Sequence, residues 1–166
     1  MNPTIWFELA KDIKHHRQEF YIVPSLWERY GVARGLKWER VDFLASSKTS
    51  LPDKKGLYAM TIRAPNPDFP PNSYLFYVGE VGAKSSEKRT FPRRFQEYLD
   101  EYRQITRPNV AIFLHSYRGY IDFHYCELDE SADIKSLESD LITYLLPIAN
   151  RRDIEPEIGI VRRAFG

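Results

Sequence analysis

The stretch GLYAMTIRAPNPDFPPNSYLFYVGEVG, residues 56–82, decides the fold. Residues 56–64 and 74–82 are rich in the β-branched and aromatic residues typical of strands, and both runs are apolar on both faces. We therefore predict two strands inside a sheet that is covered on both sides. The segment between them predicts a projecting loop rather than a two-residue turn, because it contains Pro65, Pro67, Pro70 and Pro71.

Beyond these two strands the pattern alternates between helix and strand. Residues 89–104 predict a helix with Thr90 as its N-cap and with an inner stripe of Phe91, Phe95, Tyr98, Leu99 and Tyr102. Residues 109–117 and 120–128 predict two further strands. Residues 134–146 predict another helix that ends at Pro147, and residues 158–161 predict a short strand or a packing segment.

The region before the two strands predicts helices. Residues 5–23 have helical periodicity, with Pro24 at the end and an inner side of Ile5, Leu9, Ile13 and Phe20. A shorter helix is predicted from Ser25 to Gly31, and the serine-rich residues 42–55 predict a loop and a domain boundary. The expected organisation is an N-terminal helical extension, residues 1–50, followed by a domain of residues 51–166. The element order predicts an α+β fold with a small, mainly antiparallel sheet flanked by helices.

Composition excludes several classes of protein. The 166 residues are 43% hydrophobic, which suits one domain with a real core, and no apolar run approaches the roughly 18 residues of a membrane span. Because Lys and Arg number 24 and Asp and Glu number 23, net charge argues neither for nor against a polyanionic partner. Cys126 is the only cysteine, so no internal disulfide forms and a reducing cytoplasm is expected. Motifs of zinc proteases, phosphate loops and serine hydrolases are absent from the sequence.

Glu138 is the first candidate for chemistry. It falls inside the apolar stripe of its helix, four residues after Ile134 and three before Leu141. An unpaired buried carboxylate costs several kcal/mol, roughly, so this side chain should have a partner. The partner is either an arginine or backbone group, or a divalent metal, since Mg²⁺ needs only one or two protein carboxylates.

Arg94, Tyr58 and Tyr77 are further candidates, each with two interpretations. Arg94 lies on the flank of its helix's inner face, where its head would reach water or bind a phosphate with its planar fork. Tyr58 and Tyr77 each lie near a glycine in a predicted strand. Such tyrosines either fill the core or orient and deprotonate a water molecule.

The segment KSSEKRTFPRRF, residues 84–95, concentrates positive charge next to a predicted helix N-terminus. Its basic residues are Lys84, Lys88, Arg89, Arg93 and Arg94, against the single acidic Glu87. This local excess favours an edge that faces phosphate groups, although charge runs are also common in solvated loops.

Five elements of the sequence, in this order, resemble the GIY-YIG nuclease family. They are GLY at 56–58, YVG at 77–79, Arg94 with Tyr98 in RRFQEY, Glu138 in LESDLI, and Asn150 in PIAN. The resemblance covers about residues 52–152. It implies a GIY-YIG-like nuclease domain and a metal-dependent endonuclease that hydrolyses phosphodiester bonds of DNA with Mg²⁺ or Mn²⁺.

The resemblance also implies roles for residues near the phosphate. Glu138 would bind the metal, in a cleft between its helix and the sheet, and Arg94 would stabilise the charge that builds on phosphorus. Asn150 would fix the local structure near the metal.

Three tyrosines would then serve the attacking water. Tyr58 would position or deprotonate it, and Tyr77 and Tyr98 would orient it.

DNA is the implied partner. Lys84, Lys88, Arg89 and Arg93 would contact its backbone, and the basic stretches at residues 11–17 and 162–163 either do the same or are solvated surface. One site cuts one strand, so cleavage of both strands would require a homodimer or two successive events. No membrane partner is expected.

Three departures from the family pattern stand out. The two motifs are separated by a longer, proline-rich insert, and Tyr98 replaces the commoner histidine. Glu80 stands where many members have lysine, so Arg93 or Lys84 would have to supply that charge, or catalysis would proceed without it. The alternative to an enzyme is a catalytically inactive module on the same fold that recognises nucleic acid or a protein partner.

Overall fold

The structure is a computed structural model that describes residues 3–29, 35–64, 73–83, 89–129, 131–150 and 156–165. A 3-10 helix, Ala45–Ser50, lies between β1 and β2. The other elements, in chain order, are α1 Pro3–His15, α2 Pro24–Arg29, β1 Glu39–Asp42, β2 Gly56–Arg63, β3 Ser73–Val81, α3 Phe91–Gln104, α4 Pro108–Ser116, β4 Ile121–Glu127, α5 Ile134–Leu145 and α6 Pro156–Phe165.

The four strands form one antiparallel sheet in the order β1-β4-β2-β3. The register places Tyr58 of β2 between Gly79 of β3 and Tyr125 of β4. In β3 one residue, Phe76, has no partner in the register, which is the signature of a β-bulge. The chain therefore has the predicted α+β architecture, an antiparallel sheet flanked by helices.

The sheet is covered on both faces, as its apolar strands predict. On one face, buried side chains of β2 pack against α3 and α4, and this cluster includes Tyr58, Met60, Phe95, Tyr98 and Phe113. On the other face, alternate residues of β2 and β3 pack against α5, and that cluster includes Leu57, Ala59, Val78, Leu141 and Ile142. Because side chains alternate along a strand, neighbouring residues of β2 serve two separate cores.

Most elements of the central region are confirmed. The strands predicted at 56–64, 74–82 and 120–128 correspond to β2, β3 and β4, and the helices predicted at 89–104 and 134–146 correspond to α3 and α5. Thr90 is at the N-cap position of α3, with Pro92 in the first turn, although its side chain makes no capping hydrogen bond.

The strand predicted at 109–117 is wrong, because this segment is helix α4. A continuous apolar run does not distinguish a buried strand from a buried helix. The buried residues Val110, Ala111, Phe113 and Leu114 have helical spacing, and Pro108 suits the first turn of a helix.

The N-terminal prediction needs two corrections. Helix α1 ends at His15, with Lys14 and His15 in its last turn, rather than at residue 23. The predicted inner side is also wrong, because Ile5, Leu9 and Ile13 are 57%, 48% and 64% exposed. Apolar periodicity predicts an amphipathic helix but not what the apolar face contacts.

Strand β1 lies within the region predicted to be helical. Its sequence, ERVD, has little strand character, and its pairing with β4 joins residues 39–42 to the sheet. The loop predicted at 42–55 contains the short 3-10 helix. The division into residues 1–50 and 51–166 stays a prediction.

Two predictions concern the ends of the chain and its loops. Residues 158–161 belong to helix α6, not to a strand. The proline-rich loop of residues 65–72 and the side chains of Arg162 and Arg163 lie outside the described residues. Among the described helices, none has the length and apolar character that crossing a membrane requires.

Candidate functional site

Three side chains that are far apart in sequence meet at the interface of β2 and α3. The hydroxyl of Tyr58 lies 2.7 Å from the hydroxyl of Tyr98, and Arg94 donates from Nε to the Tyr58 oxygen at 2.8 Å. The guanidinium carbon of Arg94 lies 4.9 Å from the centre of the Tyr98 ring. We call these three residues the Tyr-Arg-Tyr cluster. The structure thus brings together three of the residues predicted to form the site.

A glycine makes room for the cluster. Gly79 faces Tyr58 across the β2–β3 pair, and a Cβ atom on Gly79 would lie 2.2 Å from the Tyr58 hydroxyl oxygen. The Tyr58 ring also stacks on Phe123, with ring centres 5.3 Å apart, and this contact helps to fix its position. The glycine of the YVG segment therefore allows the phenol to lie directly over the backbone of β3.

Tyr58 keeps its proton in this environment. The side chain is fully buried, and burial raises the pKa of Tyr58 far above its ordinary value, as it does the pKa of Tyr98. The hydrogen bond and charge of Arg94 lower the pKa of Tyr58, but burial outweighs them. Tyr58 is therefore better suited to orient Arg94 as a neutral phenol than to act as a base that removes a proton from water.

Tyr77 lies beside the cluster on the same face of the sheet. Its ring centre is 6.1 Å from that of Tyr58 and 5.8 Å from that of Tyr98, and the side chain is partly buried. Because Tyr77 retains access to solvent, it is better placed than Tyr58 to contact a water molecule.

Arg94 also belongs to a group of three arginines around Glu97, namely Arg89, Arg94 and Arg107, which we call the arginine group. Glu97 accepts a hydrogen bond from Nη1 of Arg94 at 2.6 Å and from Nη2 of Arg107 at 3.0 Å, both on Oε2. Its Oε1 lies 3.4 Å from Nε of Arg89. Nη2 of Arg94 makes no hydrogen bond with the described part of the chain.

Arg107 was not predicted from the sequence. It is the N-cap residue of α4, and its backbone N–H donates to Glu101, which also accepts from the Thr106 hydroxyl. Among the described residues, Arg107 Nη1 is the one buried side-chain polar atom without a hydrogen-bond partner. An unsatisfied buried donor costs about 1–3 kcal/mol, so this atom needs an explanation. Because residues 109–117 were predicted to be a strand, Arg107 fell in a predicted loop and was not recognised as the N-cap residue of a helix.

The pKa of Glu97 reflects the arginines around it. Burial by itself would raise this pKa, but the hydrogen bonds and charges of Arg94 and Arg107 and the charge of Arg89 lower it below its ordinary value of 4.5. Glu97 is therefore ionised at neutral pH. Its stabilisation of the folded state is largest at pH values above 4.5, where the Glu97 carboxyl is also ionised in the unfolded chain.

Glu97→Gln is expected to lower the free energy of unfolding by about 1 kcal/mol at pH 7. This value lies between the contribution of an exposed ion pair and that of a buried hydrogen bond to a charged group. Because the folded-state pKa lies below 4.5, this difference should be complete above that pH and should shrink as pH falls below it. Thermal melts of both proteins from pH 7 to pH 3 measure it, with a gap of about 3 °C at pH 7. A gap that widens in acid would contradict the assignment.

Glu138 faces inward, as its position in the stripe predicts. The residue is 7% exposed on α5, and Oε2 accepts a hydrogen bond from Nζ of Lys135 at 2.6 Å. Its neighbours in the stripe belong to the cluster on the α5 face, whereas Tyr58 belongs to the cluster on the α3 face. The structure therefore does not place Glu138 in the Tyr-Arg-Tyr cluster. Strand β3, the last in the sheet order, pairs with β2 at Tyr58 and contacts α5.

The chemistry of Glu138 fits a magnesium ion. A carboxylate is a preferred ligand, and Lys135, at 51% exposure, could turn into solvent when a cation replaces it. The described residues contain no group of three or more His, Cys, Asp or Glu side chains that could hold a metal.

Asn150 binds the backbone of β3 with both ends of its carboxamide. Its Oδ1 accepts from the Val78 N–H at 2.9 Å, and its Nδ2 donates to the Val78 carbonyl at 2.9 Å. The preceding residue, Ala149, donates its N–H to the carbonyl of Phe76. Asn150 thus supports the strand that carries the YVG segment.

The remaining predicted residues have different environments. Arg89 and Arg93 are exposed at the start of α3, whereas Lys84 and Lys88 lie outside the described residues. Glu80, the residue at the family's lysine position, accepts a hydrogen bond from the backbone N–H of Ala83 at 3.0 Å. This contact is typical of a side chain that caps a turn.

No family model, no curated protein and no solved structure matches this chain.

Proposed function

We propose that this chain is a metal-dependent endonuclease that hydrolyses phosphodiester bonds of DNA, with a GIY-YIG-type fold and site. The observation that supports the proposal best is the Tyr-Arg-Tyr cluster. The resemblance relates Tyr58, Arg94 and Tyr98 to one site, and their hydrogen bonds join β2 to α3 around a single guanidinium. An ordinary core does not require an arginine with 11% side-chain exposure between two fully buried tyrosines.

Arg94 would stabilise the charge that develops on the phosphate in the transition state. Its Nε is fixed by Tyr58 and its guanidinium carbon lies over the Tyr98 ring, so little reorganisation is needed when a phosphate binds. Nη2 has no partner within the described residues, and it is the donor that a phosphate oxygen would contact first.

The tyrosines would act by position. Tyr58 accepts from Arg94 and, as a neutral phenol with one proton, shares a second hydrogen bond with Tyr98. Tyr77, which is partly exposed, would orient the attacking water. We therefore assign the fully buried Tyr58 to positioning of Arg94 and not to proton removal.

Glu138 would hold Mg²⁺ or Mn²⁺, and Asn150 would keep β3 in place beside it. A bound cation supplies Lewis-acid stabilisation of the phosphate and of the leaving oxygen. Because α3 and α5 cover opposite faces of the sheet, a phosphate that engages both Arg94 and Glu138 would have to bind at the side of the sheet that ends with β3.

Contacts to the DNA backbone would come from Lys84, Lys88, Arg89 and Arg93. Such contacts make affinity fall with salt concentration. We place the activity in the cytoplasm on the basis of the lone cysteine, and we propose a homodimer only if both strands are cut at one site.

Nicking of supercoiled plasmid tests the proposal. The wild-type protein should nick plasmid in Mg²⁺ and not in EDTA, and Glu138→Gln should raise the Mg²⁺ concentration for half-maximal rate at least tenfold. Loss of a residue that only supports a metal ligand already lowers metal affinity by about 10- to 100-fold, so loss of the ligand itself should cost at least tenfold. A protein that does not nick in Mg²⁺ or Mn²⁺ would contradict the proposal.

Asp140→Asn is the matched control for Glu138→Gln. Asp140 lies on the same helix, and its replacement makes the same change of charge two residues away. Its Mg²⁺ requirement should equal that of the wild type, and thermal melts should show that both variants are folded. If both variants shift equally, the loss reflects helix charge and not a metal ligand.

A binding module is the second candidate, and the ion pair between Arg94 and Glu97 favours it. At 2.6 Å this pair neutralises the guanidinium that catalysis would use. A module would bind a DNA duplex in EDTA with the same affinity as in Mg²⁺ and would never nick it.

A further inference from the structure

The arginine group contains more positive charge than the proposed reaction has so far used. Arg89, Arg94 and Arg107 surround Glu97, and Glu101 lies 3.8 Å from Nε of Arg107. Three guanidiniums thus face two carboxylates, and Glu101 is occupied with the backbone of Arg107 and the Thr106 hydroxyl. Glu97 is the only described carboxylate that contacts all three arginines.

Arg94 and Arg107 are placed alike. Their guanidinium carbons lie 4.9 Å and 5.0 Å from the centre of the Tyr98 ring. Their nearest nitrogens bind the same oxygen of Glu97, at 2.6 Å and 3.0 Å. Two guanidiniums that share one anionic oxygen form the arrangement that recognises a phosphate group.

We infer that Arg107 is a second phosphate-binding guanidinium beside Arg94, and that Glu97 holds the place of the phosphate when no substrate is bound. The inference rests on the proposed function and extends it to a phosphodiester of the DNA backbone. Glu97 is 26% exposed at the side chain, so it can turn toward solvent when a phosphate enters. Nη1 of Arg107 is buried and has no hydrogen-bond partner among the described residues, so these residues do not use all the donors of this guanidinium.

The inference predicts how each residue changes DNA affinity. Arg107→Ala should weaken binding of a short duplex about 10- to 100-fold, the cost of a hydrogen bond to a charged group. It should also reduce the slope of log affinity against log salt by about 0.9, the contribution of one phosphate contact. Glu97→Gln keeps both arginines and removes the competing charge, so its binding should be tighter than that of the wild type.

The measurement is fluorescence anisotropy of a labelled duplex in EDTA, from 50 to about 200 mM NaCl. Arg103→Ala is the matched control, because Arg103 is an exposed arginine in the last turn of α3 and loses the same charge. Its salt slope should equal that of the wild type. Arg107→Lys retains the positive charge but not the forked guanidinium. If Arg107 only balances the charge of Glu97, the lysine variant should bind DNA like the wild type. If Arg107 makes a forked contact to phosphate, the lysine variant should bind as weakly as the alanine variant.

The outcomes separate this inference from the proposed function. If the wild type nicks plasmid while Arg107→Ala and Arg103→Ala have the same affinity and slope, this inference is overturned and the endonuclease stands. If Glu97→Gln binds more weakly than the wild type, Glu97 positions the arginines and does not stand in for phosphate, which also overturns the inference. If the wild type neither nicks nor binds duplex, the proposed function fails and this inference with it. Should Arg107→Ala not fold, Arg107→Lys and Glu97→Gln decide the matter.

Discussion

Replacing Arg94 by alanine is expected to lower the rate of plasmid nicking by about 10³-fold, the upper range for loss of one preorganised donor to a developing negative charge. The effect should be mainly on kcat, because the contact to the phosphate oxygens strengthens in the transition state. Arg94 is suited to this role since Tyr58 fixes its Nε and its guanidinium carbon lies over the Tyr98 ring. Single-turnover nicking at saturating Mg²⁺ measures the rate.

Two variants sharpen the expected result for Arg94. Arg103→Ala removes an arginine from the same helix outside the site and should nick at the wild-type rate. Tyr58→Phe removes the acceptor of Arg94 Nε but keeps the guanidinium, so its loss should be smaller than that of Arg94→Ala. If Tyr58→Phe is the more damaging variant, the phenol takes part in the chemistry and the positioning role assigned to it is wrong.

Gly79→Ala is expected to destabilise the protein by about 3 kcal/mol, the upper range for overpacking a core. The added Cβ would lie 2.2 Å from the Tyr58 oxygen and 2.4 Å from its ring carbon Cζ. The ring cannot swing away, because it is fully buried and stacked on Phe123. A fall of about 10 °C in the melting temperature is the measurable result, since 1 kcal/mol corresponds to about 2–4 °C at this size.

A double-mutant cycle tests the cause. In a Tyr58→Ala background the clashing ring is absent, so Gly79→Ala should cost far less there than in the wild type. Gly119→Ala is a contrasting control, because its Cβ would meet nothing within 4 Å and its cost would come only from the positive φ of 86°. Equal costs of Gly79→Ala in both backgrounds would show that the strand, not the ring, requires glycine.

The strongest sequence patterns predicted the centre of the fold. β2 and β3 are runs rich in β-branched and aromatic residues, α3 and α5 have a helical period, and here local preference agrees with tertiary packing. The inward position of Glu138 followed from helix geometry alone. Tyr58 and Arg94 were selected one by one from the sequence, but only coordinates show that they share a hydrogen bond.

The remaining features depend on contacts that no local pattern encodes. The apolar run of α4 is equally compatible with strand and helix, and its capping residue Arg107 therefore went unnoticed. Glu97 looks like an ordinary surface residue of α3 until its three arginine neighbours are placed around it. The polar segment β1 forms a strand because it pairs with β4. Tertiary context, and not the strand propensity of its residues, therefore determines its structure.

The carboxamide of Asn150 has a consequence for how this protein behaves in a crowded solution. An outermost strand normally offers its amide groups to any extended chain that approaches, and aggregation begins by such pairing. At Val78 both backbone groups are already taken by a side chain that imitates a peptide unit, and at Phe76 the carbonyl is taken by Ala149. Residues 149 and 150 thereby occupy the backbone groups at the centre of β3 that a foreign strand would need in order to pair there.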